Sequence, residues 1–328
     1  MKPGLLLALM LALSAVLSAQ SHPPASSGSA AQVFSYDAKA PLDFQEKSEE
    51  AVKGVKVLDV SYASPKGGGV PAYLVVPPGK GPFAGLVFVH WGQGDRTEFL
   101  AEAVMLAEAG AESLLIDAPY NRPGAPLMDT FTHPEVERAD YVQLVVDVRR
   151  GVDLLLSRPE VDGKRMGYVG HSLGATWGGP LAAADKRIKA LVLMGGLPTL
   201  TDFSGDTYIA AMTHKAYSPE QIGNYVKVIS PINPEHFVGQ SAPAVLFFQF
   251  ARHDRYITPK FAKEYFEAAG QPKQQKLYVC SHEFNDPAAL MDRDQFLQKH
   301  LGLKPVMPII LRAMGIKLAP ARVVGKTQ

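Results

Sequence analysis

Residues 166–175 read M-G-Y-V-G-H-S-L-G-A: an apolar run closes on Gly170, a hydroxyl follows at Ser172, and Gly174 comes two positions later. G-x-S-x-G constrains this chain more than any other stretch, because it calls for a strained strand-to-helix turn. Its glycines let neighbouring backbones approach, and its serine projects over the end of a sheet. Both flanks are present. Residues 165–169 form a short strand-like run after the turn former Asp162-Gly163, and residues 172–184 are small and helix-compatible apart from Pro180.

The rest of the chain supplies a sheet for such a turn. Val55, Val57, Leu58 and Val60 alternate with polar positions, and residues 70–76 follow after K-G-G-G, which predicts an antiparallel opening pair. A-G-L-V-F-V-H at 84–90 is a continuous apolar run of the kind a strand covered on both faces shows. A helix over 97–109, with Leu100, Val104 and Ala107 on one face, and a strand over 113–117 complete a β-α-β unit. A long proline-rich loop follows Asp117, of the length that marks a functional rim. From Pro134 onward, Tyr141, Leu144, Val145, Val148, Val152 and Leu155 recur at helical spacing. Further strands are predicted over 190–194, 244–249 and 276–280, with helices over 258–269 and 288–301. Apolar strands alternating with helices predict a mostly parallel, doubly wound α/β sheet with antiparallel strands at its start. Residues 195–242 interrupt the alternation and contain one helix opened by Ser218 and Pro219, so they read as a short cap over the site.

The ends of the chain read differently. Residues 1–19 carry Lys2, an apolar core over 5–17 and small residues at Ser18 and Ala19, the pattern of a signal peptide and hence of an exported protein, periplasmic or extracellular. The apolar run is shorter than the roughly 18 residues a membrane span needs. Residues 20–40, rich in serine, alanine and proline, read as a flexible arm, and the domain as 41–303. Residues 304–328 mix apolar and basic positions, which suits packing back on the domain, with self-association or membrane-surface contact as the alternatives. Cys280 is the one cysteine, so no intramolecular disulfide can form and the core must supply the stability. A net charge of +1 and the lack of a basic run with interleaved aromatics argue against nucleic acid as a partner. No H-E-x-x-H, paired cysteines or G-x-G-x-x-G after the first strand occurs, so no metal or cofactor is expected.

A serine hydroxyl is a poor nucleophile near neutrality; it needs a base, and the base needs an acid to orient it. The order Ser, Asp or Glu, His, with each partner on a loop past a strand end, selects Asp254 in A-R-H-D-R-Y and His282 in S-H-E-F. Asp202 is the rival acid. An oxyanion hole would use the amide of Leu173 together with that of Trp91 or Gly92, in a loop that His90 and Gln93 support. Trp91, Tyr120, Phe203 and Phe284 fall on the expected rim and are candidates for contacting substrate, as are Phe131 and Tyr208. Cys280 sits at an apolar strand end without an elbow and reads as an inert buried thiol.

On V-H-W-G-Q-G, G-H-S-L-G, R-H-D-R-Y and S-H-E-F the chain resembles the α/β-hydrolase superfamily, and within it the dienelactone hydrolase and acetyl xylan esterase-like group, over residues 55–301. It departs from dienelactone hydrolases in carrying Ser172 where they resemble G-x-C-x-G, and its oxyanion loop is H-W-G-Q-G in place of H-G-G-G. The resemblance implies an α/β-hydrolase fold and a serine hydrolase that cleaves carboxylic esters of modest size through an acyl-enzyme. A prolyl oligopeptidase-type peptidase, an acyltransferase and a non-catalytic binding protein are the alternatives on the same fold. Esters are expected over peptides, because about 35 residues between leader and first strand hold no propeller, whose blades need about 40 residues each.

Overall fold

The computed structural model describes residues 28–52, 54–125 and 131–316. Its strands are β1 (Gln45–Val52), β2 (Val55–Ala63), β3 (Gly69–Val76), β4 (Phe83–Val89), β5 (Ala111–Ile116), β6 (Val161–His171), β7 (Ile188–Met194), β8 (Val245–Ala251) and β9 (Lys273–Tyr278). They form one nine-stranded sheet in the order β1-β2-β3-β5-β4-β6-β7-β8-β9. β1, β2, β3 and β5 pair antiparallel, and every pair from β5 through β4 to β9 is parallel. This is the mostly parallel doubly wound sheet with antiparallel leading strands that the sequence predicts.

Helices cover both faces. α3 (Pro134–Leu156), α4 (Leu173–Ala184) and α7 (Pro259–Ala268) pack on the side of Val87 and Val89, while α2 (Leu100–Glu108), α8 (Pro287–Leu301) and α9 (Met307–Ala313) pack on the side of Leu86 and Phe88. Burial on both faces is why β4 is apolar throughout. None of the described helices is long and apolar enough to cross a membrane.

Between β4 and β6 the strand order reverses, since β5 follows β4 on one side and β6 lies on the other. In open α/β sheets the crevice past the carboxyl ends at such a reversal is where ligands bind. The loop after β4 and the turn after β6 meet there. Pro180 sits inside α4 and cannot donate to the Thr176 carbonyl one turn back. The Tyr265 hydroxyl donates to that carbonyl instead, at 2.8 Å.

Three expectations need correction. β1 was not foreseen: it reads Q-E-K-S-E-E-A-V, is exposed along nearly its whole length, and has the charge pattern that protects a sheet edge rather than an apolar alternation. The stretch read as a flexible arm is docked from residue 28 onward. It forms α1 (Ala30–Val33), buries Phe34 against Phe237 with ring centroids 5.5 Å apart, and bonds Tyr36 to Asp153 at 3.0 Å. Two aromatic anchors, Phe34 and Tyr36, in a small-residue context left no periodic signal. The cap contains two helices, α5 (Tyr208–Ala216) and α6 (Pro219–Ile229), followed by short 3-10 turns over 230–240. Only the second carries a capping box, Ser218 with Gln221, that sequence reasoning can read. At the other end Val306 and Ile310 are buried against the domain, while residues 1–27 and 317–328, with the expected leader and the end of the basic tail, lie outside the described residues.

Candidate active site

Ser172 occupies the turn between β6 and α4 with φ 54°, a positive value rare outside glycine, and its amide donates to Met194 O at 2.8 Å. The strain is held in place by packing. A Cβ on Gly170 would press into the backbone of Gly174, and one on Gly174 into the Val89 carbonyl, so both glycines are required for β4, β6 and α4 to meet.

Past β8, Asp254 presents Oδ2 to Nδ1 of His282 at 2.7 Å, while its Oδ1 accepts from the amides of Tyr256 and Ile257 at 2.8 and 3.0 Å. Both side chains are almost fully buried. The Tyr256 ring meets the imidazole edge to face at 4.9 Å. With Nδ1 held, Nε2 is the ring nitrogen left for proton transfer. Ser172 and His282 line one cavity of about 370 Å³, together with Trp91, Gly92, Leu197, Ile209 and Tyr256. No hydrogen bond joins Ser172 to His282 in this structure, though catalytic bonds are often long until substrate is bound.

The loop after β4 resolves which amides are free. Trp91 N–H donates to Oε2 of Glu98 at 2.8 Å, which removes Trp91 from the expected oxyanion donors. The amides of Gly92 and Leu173 have no acceptor among the described residues. Leu173 opens α4, where the first amides have no intrahelical partner and the helix dipole favours negative charge. The loop is braced from several sides: His90 donates through Nδ1 to Trp91 O at 2.6 Å and accepts from Ala118 N at 3.0 Å, and Asn121 donates to Gly92 O at 3.2 Å. Burial lowers the basicity of His90, in keeping with a neutral structural ring. Arg96 adds an anchor to Asp59 at 2.9 Å.

Sequence reasoning missed Glu98. Its Oε1 meets Nδ1 of His171 at 2.5 Å, and Nε2 of His171 donates to the His282 carbonyl at 2.8 Å. The residue looked like an ordinary acidic group at a helix start, and nothing local separates the two roles.

Other expectations sort as follows. Asp202 binds Lys260 at 2.6 Å, accepts from Ser204 and is held down to about 2 against the cost of its partial burial, so it does not hold His282. Of the six aromatics, Trp91 lines the Ser172 cavity, Phe203 and Phe131 line a neighbouring one, and Tyr208 meets Tyr256 at 5.4 Å without lining either. Tyr120 packs beneath the loop against His90 at 6.0 Å, and Phe284 packs on His171 at 5.6 Å; neither lines the Ser172 cavity. β9 ends at Tyr278, so Cys280 lies past the strand and not within it, and it is half-buried rather than buried; its partial burial and the nearby carboxylates Asp286, Asp254 and Glu283 raise its thiol.

The sheet order, the strained serine over the strand ends and the Asp254–His282 pair define the class: the chain has the α/β-hydrolase fold. Within that class it is similar in structure to the acetyl xylan esterase from Paenibacillus sp. R4, with a TM-score of 0.67 and 21% identity over 83% of this chain and 92% of that one. It is also similar to acetyl xylan esterase 1 from Thermoanaerobacterium sp. JW/SL YS485, with a TM-score of 0.64 and 16% identity over 82% and 91% of the two chains. Residues 149–225 match the family described as BAAT / Acyl-CoA thioester hydrolase C terminal. The bile acid-CoA:amino acid N-acyltransferase of Mus musculus is 32% identical over 143 residues, 44% of this chain and 30% of that protein. The chain thus spans about a third of the curated relatives it matches.

Proposed function

We propose that the protein is a serine hydrolase cleaving carboxylic esters of modest size through an acyl-enzyme. The observation that carries this reading is the strained Ser172 sharing a cavity with His282, whose Nδ1 is fixed by Asp254. Oγ of Ser172 attacks the ester carbonyl while Nε2 of His282 takes its proton. The oxygen of the tetrahedral intermediate is received by the amides of Gly92 and Leu173, and His282 returns the proton to the leaving alkoxide. Water then repeats the sequence on the acyl-enzyme. Asp254 holds the tautomer of His282 and stabilises the imidazolium. No metal or cofactor is needed for these steps.

Acyl transfer is the second reading, favoured by the match of residues 149–225 to the BAAT / Acyl-CoA thioester hydrolase family. It uses the same acyl-enzyme, with an amine or alcohol in place of water. The leader-like residues 1–19 also lead us to propose export, which N-terminal sequencing of the protein recovered outside the cytoplasm would check.

Fluorophosphonate labelling, followed by turnover of acetyl and butyryl aryl esters, the matching thioesters, and prolyl and alanyl anilides, tests the main reading. Wild type is expected to label and to prefer esters. Ser172→Ala is expected to lose both labelling and turnover, and Cys280→Ser to keep them. Faster capture of the acyl group by an added amine than by water would move the assignment to acyl transfer. Equal turnover of anilides would move it to a peptidase.

A further inference from the structure

Beside the Ser172 cavity lies a smaller one of about 180 Å³, with Leu197 and Ile209 in the walls of both. Leu173, the residue after the serine, also lines it. Its far wall is aromatic: Phe131 stacks on Tyr225 at 4.3 Å and meets Phe203 at 5.5 Å. Among these rings sits the carboxyl of Glu137, from the first turn of α3.

Glu137 is 7% exposed. Its Oε1 accepts hydrogen bonds from the hydroxyls of Tyr141 and Tyr225. The Tyr225 bond ties α3 to the cap, the Tyr141 bond lies within α3, and together they give Oε1 a structural role. Oε2 has none: it is buried without a partner among the described residues. A buried oxygen left unpaired costs about 1–3 kcal/mol, and the surrounding phenylalanines cannot offset that cost. Burial also raises the carboxyl to about 7, so it is neither a committed anion nor a committed acid near neutrality. The other carboxylate in this wall, Asp202, already has Lys260 and Ser204. Glu137 is therefore a polar group of this cavity with hydrogen-bonding capacity left over.

We propose that this cavity receives the acyl chain of the substrate, and that Glu137 selects chains bearing a hydrogen-bond donor, a hydroxyl or an ammonium, at the end remote from the carbonyl. The inference rests on Ser172 being the nucleophile. A donor is the complement because Oε2 offers lone pairs, and the aromatic faces add attraction if the donor is cationic. A plain hydrocarbon chain would leave Oε2 as it stands.

The test compares kcat/KM of the full chain for aryl esters of hexanoate, ω-hydroxyhexanoate and ω-aminohexanoate, in wild type, Glu137→Gln and Glu137→Leu. Wild type is expected to favour at least one of the substituted esters over hexanoate by about tenfold or more. Glu137→Leu is expected to reverse that ratio. Glu137→Gln keeps an acceptor for the two tyrosines, so it covers the case in which the leucine variant fails to fold; it should lose an ammonium preference and weaken a hydroxyl one, because a neutral hydrogen bond replaces a charge-assisted one. The ratio in wild type thus distinguishes the two donors. A wild-type preference for hexanoate, or a ratio unmoved in both variants, overturns the proposal. If no ester is turned over, or Ser172→Ala is as active as wild type, the nucleophile reading has failed instead. The pocket is then judged by calorimetric binding of the three free acids to wild type and Glu137→Gln, with equal affinities overturning it.

Discussion

Glu98 and His171 are joined at 2.5 Å through Oε1 and Nδ1, and this pair connects three loops that the sheet brings together from different strands. Oε2 of Glu98 holds the Trp91 amide after β4, His171 is the last residue of β6, just before Ser172, and Nε2 of His171 donates to the backbone of His282 after β9. A carbonyl can only accept, so Nε2 is the donor in that bond and Nδ1 is the ring nitrogen that faces Glu98. Glu98 does not line the Ser172 cavity; it holds together the segments that do.

Glu98→Ala is expected to lower kcat by roughly tenfold to a hundredfold with little change in KM, because it frees the loop carrying the Gly92 amide without removing substrate contacts. Glu98→Gln is expected to recover most of the loss, since its carbonyl oxygen can accept from Trp91 and its amide can donate to Nδ1 of His171. Steady-state kinetics on an aryl ester separates the two. A Gln variant as impaired as Ala would remove the positioning role.

Asp254 and Asp202 give a second contrast. Asp254→Asn is expected to cost on the order of 10⁴ in kcat, by favouring the wrong tautomer of His282. Asp202→Asn, which loses a partly exposed pair with Lys260, is expected to leave kcat within about threefold of wild type. Measuring both against the same ester settles which carboxylate serves the histidine.

Gly174→Ala tests the elbow itself. The added methyl meets the Val89 carbonyl, a backbone atom that cannot swing aside, so α4 must shift off β4. The expected loss is about 1–3 kcal/mol in denaturant unfolding, with activity falling further than stability. An alanine variant of unchanged stability would mean that the helix and strand do not pack this closely.

Stability is expected to depend on pH through Glu137. Its carboxyl lies near 4.5 when exposed and is raised to about 7 by burial, so between those values the folded chain binds more protons than the unfolded one. Stability from this group is then present at low pH and lost as pH rises through that window. Glu137→Gln should match wild type near pH 5 and exceed it near pH 8 by roughly 1–3 kcal/mol, read by calorimetry. Parallel pH profiles of the two proteins would contradict the assigned cause.

What the sequence determined by itself is what depends on near neighbours. The apolar run of β4, the small residues of α4 and the two glycines around Ser172 specify a strand, a helix and a strained turn, because each acts over a few positions. Asp254 was legible for the same reason, lying just past a readable apolar strand, while the strand before His282 was expected over 276–280 and runs over Lys273–Tyr278 as a mostly polar, exposed one. β1 was not legible, since an exposed edge strand of charged residues carries no apolar period. Tertiary structure alone decided the rest. That Lys260 rather than His282 takes Asp202, and that Glu137 is buried against Phe203 and Tyr225, are contacts between segments distant in the chain; that the Trp91 amide goes to Glu98 is a closure within one loop that no periodicity records. The hydrogen bond from His171 to His282 spans 111 residues. Composition and periodicity describe which face a residue presents to a core; they hold no record of which distant partner meets it there, and the reversal of strand order between β4 and β6 is what brings those partners together.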